Sequence, residues 1–338
     1  MRRPLARSLT ALVAAALLLP AVAACDTEPA GLVIYSGRNE GLVGPLIEKL
    51  EDKLGTNVDV RYGDSAELAA QILEEGDKTE AGLFLSQDAG ALGALSKESR
   101  LVALPQAVLD KVAPAHRGSG GDWVGVSGRV RVLAYNPDKV AKAPDTVHDL
   151  VKPEWKGKIA YAPTNASFQA FVTGMRVLEG DDATRTWLKG LKANAKAYES
   201  NLDVLKSVDE GETSVGLLNH YYWFEKVAEE GEDKVKAKIH FLPGGDPGAL
   251  VNVAGVGKLK GSSKSESAYA QKAVDFLLSA EAQKYFNDET KEYPLAAGVK
   301  STVEGLPPLE SLQAPKIDLG KLDSLKQTLA MLQDVGMV

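Results

Sequence analysis

The chain has 338 residues, 44% of them hydrophobic, and a formal net charge of -7. This length and apolar content suffice for two hydrophobic cores, so we expect two domains rather than one. Apart from the scattered lysines of 258–264, the sequence contains no basic run. The acidic composition therefore excludes a nucleic-acid-binding protein that works through a polycationic surface.

The first residues are typical of a signal peptide. Arg2, Arg3 and Arg7 form a basic start, and the almost wholly apolar run Leu9–Val22 follows. The run is shorter than the roughly 20 residues that a membrane-spanning helix needs, and it ends in small residues. We therefore predict that residues 1–24 are a signal peptide that is removed.

The cleavage region also predicts a lipid anchor. Val22-Ala23-Ala24-Cys25 resembles the bacterial lipobox, in which the cysteine at the first mature position receives a diacylglyceryl group. Cys25 is the only cysteine of the chain, so lipidation leaves no thiol for a disulfide. The alternative is an ordinary signal peptide followed by an incidental cysteine. We expect an extracytoplasmic protein whose lipidated end and linker comprise residues 25–30 and which contacts the membrane through the lipid alone.

Strand and helix patterns alternate along the first half of the mature chain. Short β-rich runs predict strands, and apolar residues at helical spacing predict the helices between them. Ser65 is the expected N-cap of the second helix. In chain order the predicted elements are strand 32–35, helix 40–54, strand 58–62, helix 65–75, strand 83–85, helix 88–95, and two β-rich runs at 123–126 and 130–135.

The second half repeats the alternation. Its predicted elements are strand 159–161, helix 167–178, strand 215–218, helix 223–230, a β-rich run at 249–256, and helices 266–278 and 322–333. The β-rich runs near 127–131 and 251–255 are expected to cross between two domains. The predicted first domain is therefore discontinuous, with residues 31–127 plus about 254–302. The second comprises residues 128–253 plus about 303–338.

The predicted fold class is α/β, with the two domains arranged as a clamshell. Strands that alternate with helices of about 10–15 residues imply a parallel sheet covered on both faces. Ligands of such sheets bind beyond the carboxyl ends of the strands. The strand ends with polar residues are 36–39, 86–88, 163–167 and 219–222, and we expect them to face one cleft.

Familiar catalytic motifs are missing from the sequence. It has no G-x-S-x-G nucleophile elbow, no Walker loop and no G-x-G-x-x-G after a strand. The four histidines (His116, His148, His220 and His240) show no metal-binding spacing. We expect His220 to be a hydrogen-bonded residue, either at the surface or behind the ligands of the site. These observations favour binding over catalysis. A lipid-anchored enzyme on the same scaffold and a purely structural surface lipoprotein are the alternative classes.

Tyr221 and Tyr222 directly follow a predicted strand. Adjacent side chains diverge on a regular helix or strand, but at a strand-to-helix turn two neighbouring phenols can face the same pocket. Phenolate oxygen is a hard anionic ligand suited to Fe(III), and binding of the metal displaces the phenolic protons. Two packed aromatic side chains are the alternative interpretation.

The mature chain resembles the ferric-iron-binding proteins of bacterial ABC importers, which have the type II periplasmic-binding-protein fold. Seven segments in the same order carry the resemblance, and together they extend along essentially the whole mature chain. They are Tyr35-Ser36-Gly37-Arg38, Phe84–Asp88, Trp123–Arg131, Pro163–Phe168, Asn219–Trp223, Asp246–Leu250 and Glu292–Leu295.

The resemblance implies a set of site residues. Tyr221 and Tyr222 match the two tyrosines that bind iron in the family, and a synergistic anion often completes the iron sphere. The positions that match its anion site are Asp88, Asn165, Ala166, Ser167, Asn201 and Asn219. The start of a helix at 165–167 is suited to an anion because its N–H groups are free. Arg129 and Arg131 match family arginines near the cleft; exposed strand residues with salt-bridge partners are the alternative.

Two positions depart from the family pattern. Asn39 stands where well-known members have a metal-binding histidine, and Gln87 stands where they have a ligating glutamate. Both are neutral amides, which are weaker ligands for a hard trivalent cation. Tyr62 and Asp88 are candidates to compensate. We expect an exogenous anion to supply the missing charge.

The sequence thus predicts a monomeric substrate-binding lipoprotein that captures Fe(III) in an interdomain cleft and delivers it to ABC importer permease subunits. The first alternative keeps the fold but changes the cargo to a ferric chelate or a small anion. A metal titration separates the two.

Overall fold

The computed structural model describes residues 31–261 and 263–338. The predicted signal peptide, Cys25 and the linker lie outside the described residues.

The strands are β1 Leu32–Ser36, β2 Val58–Tyr62, β3 Leu83–Ser86, β4 Trp123–Tyr135, β5 Ile159–Tyr161, β6 Ala195–Ala197, β7 Val215–Asn219, β8 Lys238–Phe241, β9 Val251–Lys258 and β10 Tyr293–Pro294. The helices are α1 Glu40–Leu54, α2 Ser65–Glu75, α3 Ala89–Lys97, α4 Gln106–Leu109, α5 Ala166–Glu179, α6 Asp181–Asn194, α7 Asn201–Asp209, α8 His220–Glu230, α9 Lys264–Leu277, α10 Ala280–Asp288 and α11 Leu325–Asp334.

The first strand–helix units match the prediction most closely. Helices α1 and α2 have the predicted bounds. The predicted cap of α2 is wrong, because Asp64 rather than Ser65 accepts the backbone N–H groups of Ala66 and Glu67. The Ser65 hydroxyl instead accepts the N–H of Gln87 at 2.9 Å. This bond ties the start of α2 to the end of β3.

The two β-rich runs predicted at 123–126 and 130–135 form one continuous strand, β4. Its first part, from Trp123 to Val130, pairs with β9. Its second part, from Arg131 to Tyr135, pairs with β7, and β8 also pairs with the strand over this part. The strand therefore changes partners between Val130 and Arg131.

A single mixed sheet runs through the molecule in the order β2-β1-β3-β9-β4-β7-β5-β6, with β8 and β10 also paired to β4. Strands β1, β2 and β3 are mutually parallel at one end, and β5, β6 and β7 are parallel at the other. The two central strands, β4 and β9, run antiparallel to their neighbours. The α/β class is confirmed.

Separate hydrophobic clusters cover the two ends of this sheet. One cluster packs β1–β3 against α1, α2, α3 and α9, and we call this part the first body. Two others pack β5 and β7 against helices α5 to α8 on opposite faces of the sheet, and we call this part the second body. In the C-terminal segment, Leu319 and Leu322 belong to the first core, whereas Met331 and Leu332 belong to the second. The segment after residue 303 therefore contacts both bodies.

Among residues 31–261 and 263–338, no helix combines the length and the apolar character needed to cross a bilayer. The longest helix, α1, has 15 residues, which corresponds to about 22 Å at 1.5 Å per residue. It also carries charged residues on its exposed face.

Candidate functional site

The tyrosine pair lies where β7 becomes α8. Strand β7 ends at Asn219 and α8 begins at His220, so Tyr221 and Tyr222 occupy the first turn of the helix. Their ring centroids are 4.3 Å apart with an interplanar angle of 33°, and both side chains are half-buried. The turn therefore brings two phenols to one place, as the sequence predicted.

Burial is the main cause of a strong rise in the pKa of the Tyr221 phenol. The neighbouring Tyr222 raises this pKa further, whereas the charge of Arg129 lowers it. At neutral pH Tyr221 is consequently a neutral phenol in the free protein. An incoming cation has to displace its proton.

Three arginines lie buried around the pair. Arg38, Arg129 and Arg131 are each at most 4% exposed. The charges of both Arg38 and Arg131 interact with those of Tyr221 and Tyr222. Such a concentration of buried cations requires compensating negative charge.

Glu292 supplies part of that compensation. Its carboxylate accepts two bonds from the Arg38 guanidinium, each 3.0 Å long, and Arg129 Nη1 lies 3.4 Å from Oε1. The Ser127 hydroxyl donates to the same carboxylate at 2.7 Å. Burial opposes ionisation of Glu292, but Arg38 and Arg129 outweigh it and hold the carboxyl pKa below its usual value. Three cations thus face one anion, which leaves two positive charges in excess.

Arg131 carries one of the uncompensated charges. Its Nη2 donates to the Ser167 hydroxyl at 2.9 Å, and its guanidinium lies over the rings of Phe168 and Phe171 at 5.9 and 5.4 Å. Burial lowers its pKa to about 10, against the opposing influence of Tyr221 and Tyr222. Arg131 is still protonated at neutral pH. The alternative of an exposed strand residue with a salt-bridge partner is therefore wrong for Arg131.

The start of α5 lies beside Arg131. Asn165 is the N-cap, and its side-chain oxygen accepts the backbone N–H of Ser167 at 3.0 Å and the Ser167 hydroxyl at 2.6 Å. Ala166 is the first residue of the helix. Asn201, the first residue of α7, donates to the Ser167 hydroxyl at 3.2 Å. The structure thus brings Asn165, Ser167, Asn201 and Arg131 together.

Several buried polar atoms here make no hydrogen bond within the part of the chain that the structure describes. They include Asn201 Oδ1, Asn219 Nδ2 and Arg129 Nε. Leaving such groups unpaired costs about 1–3 kcal/mol each. A small cavity adjoins them, lined by Arg129, Arg131, Ser167, Phe171, Asn219, Leu250 and Asn252. This cavity offers unused N–H donors beside two arginines, which is the chemistry of an anion site.

The remaining predicted residues line an open cleft at the ends of β1 to β3. It is lined by Gly37, Arg38, Asn39, Glu40, Tyr62, Gly63, Asp64, Ser65, Gln87, Asp88 and Ala166. Tyr221 and Tyr222 are not among these residues. Arg38 lies on this cleft, and its charge also interacts with those of both phenols. Ala166 brings the start of α5 to the same cleft.

Three side chains of this cleft, those of Asn39, Asp64 and Asp88, are occupied as helix caps. Asn39 Oδ1 accepts the N–H of Gly41 at 2.9 Å at the start of α1. Asp88 Oδ1 accepts the N–H of Ala91 at 3.1 Å at the start of α3, and burial raises the pKa of its carboxyl. Burial, and next the charge of Glu40, also raise the pKa of the Tyr62 phenol. Within the described ranges no group of three or more His, Cys, Asp and Glu side chains is arranged to hold a metal ion.

Sequence reasoning assigned no role to Ser127, Asn252 and Glu292, and it included Arg38 only as part of the strand end 36–39 that was expected to face the cleft. Arg38 and Glu292 are 254 positions apart in the chain, so no local pattern links them. His220 is hydrogen-bonded as expected, but the surface position that the sequence also allowed for it is wrong. It is fully buried, and both ring nitrogens are engaged, with the N–H of Val130 and the carbonyl of Lys291.

Two α/β bodies joined by crossing strands, with polar strand ends between them, define the class of type II periplasmic-binding proteins. Comparison with known proteins agrees with this class. The model of the bacterial extracellular solute-binding protein family matches residues 79–318. The chain belongs to this family.

Its relatives include named iron-binding proteins. The Fe(3+)-binding periplasmic protein of Serratia marcescens is 34% identical over 331 residues, which cover 97% of each chain. Iron-bound HitA from Pseudomonas aeruginosa has a TM-score of 0.83 and 34% identity, covering 90% of this chain and 99% of that one. A Trichodesmium FutA structure with iron and citrate ligands has a TM-score of 0.76 and 25% identity, covering 90% and 99%.

Proposed function

We propose that the protein captures ferric iron between its two bodies, with Tyr221 and Tyr222 as phenolate ligands. The observation that carries this proposal is the adjacent tyrosine pair, with ring centroids 4.3 Å apart, beside three buried arginines. The positive charge of the arginines favours ionisation of the phenols once a cation displaces their protons. The iron-binding names of the relatives support the same cargo.

The charge balance supports an accompanying anion. Fe(III) with two phenolates carries one net positive charge, and the arginine cluster adds two more that Glu292 does not offset. Buried charge of one sign is costly unless it is paired. We propose that the anion occupies the cavity lined by Ser167, Asn219, Arg129 and Arg131, next to Asn165 and Asn201, which hydrogen-bond to Ser167. The FutA relative that holds iron with citrate supports a carboxylate in this role.

At the ends of β1 and β3, the two positions that depart from the family pattern contribute no charge to the metal. Asn39 and Gln87 are neutral amides, and the Asn39 oxygen already caps α1. We therefore propose that the exogenous anion, rather than these side chains, completes the coordination sphere. Tyr62 and Asp88 line the same cleft as Asn39 and Gln87, which keeps them candidates for a supplementary contact after closure.

A second candidate function follows from the same surplus of positive charge. The cavity of Arg129, Arg131 and Asn219 is suited to a small anion or to a ferric chelate that arrives already complexed. Such a cargo would bind without tyrosine ionisation. The colour of the loaded protein distinguishes it from iron held by phenolates.

The tyrosines provide the central test. Ferric citrate and ferric nitrilotriacetate serve as iron donors, and the phenolate–iron charge-transfer band in the visible range is the readout. We expect Tyr221→Phe and Tyr222→Phe each to weaken binding by well over tenfold, and the double variant to lose the band. Because two protons leave on binding, affinity should fall by up to about a hundredfold per unit of decreasing pH.

Tyr269→Phe is the matched control, since Tyr269 is a half-buried tyrosine packed on the first core. It should keep wild-type affinity and colour. A double variant that still binds ferric iron tightly would exclude phenolate ligation and favour the anion-binding alternative.

The cellular role extends the family assignment. We propose that Cys25 anchors the protein to the outside of the cell membrane by its lipid, and that the iron-loaded monomer delivers its cargo to the permease subunits of an ABC importer without catalysing a reaction. The hinge lies in β4 and β9, with the domain boundaries near residues 127 and 254. Closure would shield the ion from water and present one shape to the permease.

The anchor has a direct test in cells. Cys25→Ala should move the protein from the membrane fraction to the soluble fraction, because the lipid would be its only membrane contact. Immunoblotting of both fractions measures the distribution. Membrane retention of a processed Cys25→Ala protein would exclude the lipid anchor.

A further inference from the structure

His220 connects three parts of the molecule immediately before the tyrosine pair. It is the first residue of α8 and is 0% exposed. Its Nδ1 accepts the backbone N–H of Val130 on β4 at 3.3 Å, and its Nε2 lies 3.0 Å from the carbonyl oxygen of Lys291. Since an amide only donates and a carbonyl only accepts, the imidazole must be the neutral tautomer with its proton on Nε2.

The bond to Val130 falls at a particular point of the sheet. Val130 is the last residue of β4 that pairs with β9, and Arg131 is the first that pairs with β7. At this change of partner, the Val130 N–H is satisfied by a side chain of α8 instead of a neighbouring strand. The start of α8 is therefore fixed to the strand that joins the two bodies.

The bond to Lys291 reaches the segment between α10 and β10. Lys291 has a φ of 53°, in the left-handed region that a residue with a side chain seldom adopts. Such a conformation costs of order 1–3 kcal/mol and persists only where the surroundings enforce it. Here it places the Lys291 carbonyl on His220, while the next residue, Glu292, meets Arg38 and Arg129.

Ring contacts fix the plane of the imidazole. The His220 ring lies 5.0 Å from the ring of Tyr293 and 5.9 Å from that of Tyr221, the latter edge to face. Tyr293 is held in turn by a bond from its hydroxyl to the Pro307 carbonyl at 2.9 Å. A ring with two directed hydrogen bonds and aromatic contacts on its sides has little freedom to rotate.

The geometry points to His220 as a positioning residue that sets the direction of the Tyr221 and Tyr222 phenols by tying the start of α8 to Val130 and to Lys291. This inference rests on the proposed iron function. His220 itself is not a ligand, since both ring nitrogens are engaged. In this arrangement the orientation of the phenols depends on the hinge strand and on the strained turn at Lys291.

The test uses two independent changes. His220→Phe keeps a ring against Tyr293 but removes both hydrogen bonds. Lys291→Val leaves His220 and the tyrosines intact but places a β-branched residue in the left-handed conformation, which it adopts poorly. Lys291→Gly is the matched control, because glycine tolerates this φ and also lacks the lysine side chain.

The readout is the visible band per bound iron at saturating ferric citrate, together with the iron dissociation rate. We expect His220→Phe and Lys291→Val to shift the band and to accelerate iron release at least about tenfold. Lys291→Gly, and a His240→Phe control on β8, should resemble the wild type. A purely structural role of His220 would lower the unfolding temperature but leave the band of the loaded protein unchanged.

The outcomes separate this inference from the proposed function. A wild-type protein without a phenolate–iron band would overturn the proposed function. A wild-type band that stays unaltered in both His220→Phe and Lys291→Val would overturn the positioning role alone. If His220→Phe does not fold, the comparison of Lys291→Val with Lys291→Gly decides the question, because neither substitution changes the His220 side chain.

Discussion

The two walls of the candidate site contain similar residue types but use them differently. On the first-body wall, the side chains of Asn39 and Asp88 are occupied in capping α1 and α3. On the second-body wall, Asn201 Oδ1, Asn219 Nδ2 and Arg129 Nε are buried without a hydrogen bond in the described chain. Arg38 Nε, on the first-body cleft, is also buried without a hydrogen bond in the described chain. The two walls therefore differ in their asparagine and aspartate side chains, which cap helices on the first-body wall and keep unused hydrogen-bonding atoms on the second-body wall.

The two walls also differ in the charged side chains that line them. Near the tyrosines, three buried arginines face the single carboxylate of Glu292. The open cleft at the ends of β1 to β3 contains Glu40, Asp64 and Asp88, with Arg38 as its one arginine among the described lining residues. Carboxylates therefore outnumber arginines in the cleft at the ends of β1 to β3, whereas arginines outnumber carboxylates beside the tyrosines.

Apart from the tyrosine variants, the largest expected effect comes from removing an unused donor on the second-body wall. Asn219→Ala should weaken ferric-iron binding about tenfold and reduce its dependence on added phosphate or citrate, because an anion loses a partner there. Folding should be little affected, since Asn219 Nδ2 has no partner within the described chain. Competition titrations at several anion concentrations measure both quantities.

Asn136→Ala is the matched control for Asn219→Ala. Asn136 is also buried, but its Nδ2 donates to the Val208 carbonyl at 2.8 Å and its Oδ1 accepts the N–H of Asp138 at 2.9 Å. Its loss should lower the free energy of unfolding by about 1–3 kcal/mol without changing the anion dependence. If Asn219→Ala and Asn136→Ala had the same effects on the free energy of unfolding and on the anion dependence, the proposed difference between the two walls would be wrong.

A smaller effect is expected on the first-body wall. Asn39→Ala should cost about 1 kcal/mol of unfolding free energy through loss of the α1 cap, and change iron affinity by less than about threefold. Asn39→Asp keeps a capping oxygen and adds a negative charge, so it should bind iron more tightly than the wild type. Urea unfolding and iron competition provide the two measurements. A tenfold loss of affinity in Asn39→Ala would make Asn39 a ligand instead.

Local patterns predicted the outer parts of the fold well. Helices α1 and α2 were recovered to the residue because each has regular apolar spacing and a glycine at its end, Gly55 and Gly76. Helix α6 was missed because it begins at Asp181 directly after Gly180, the residue that ends α5, so no loop separates the two. The cap of α2 was misplaced by one residue because Asp64 and Ser65 are both good caps.

The centre of the molecule was harder to predict. Ser127, Gly128 and Arg129 suggested a break in the β pattern, yet β4 runs through them and on through Arg131 as a buried strand. The arginines can be buried there because Glu292 and Ser167 contact them, and both lie far away in the sequence. The tyrosine pair was recognisable because its residues are adjacent, whereas Arg38, Glu292 and Asn252 acquire their roles only through tertiary contacts.

The position of β9 has a consequence for the order in which the chain can fold. Strand β9 lies between β3 and β4, and its Lys258 pairs with Leu83. Until residue 258 has been synthesised, β3 has no neighbour on that side, and its edge stays open to wrong pairing. Contacts between such distant residues also form slowly, because a long loop must close first. The second body, whose β5, β6 and β7 lie between residues 159 and 219, can therefore complete its parallel strands before the first body closes its sheet.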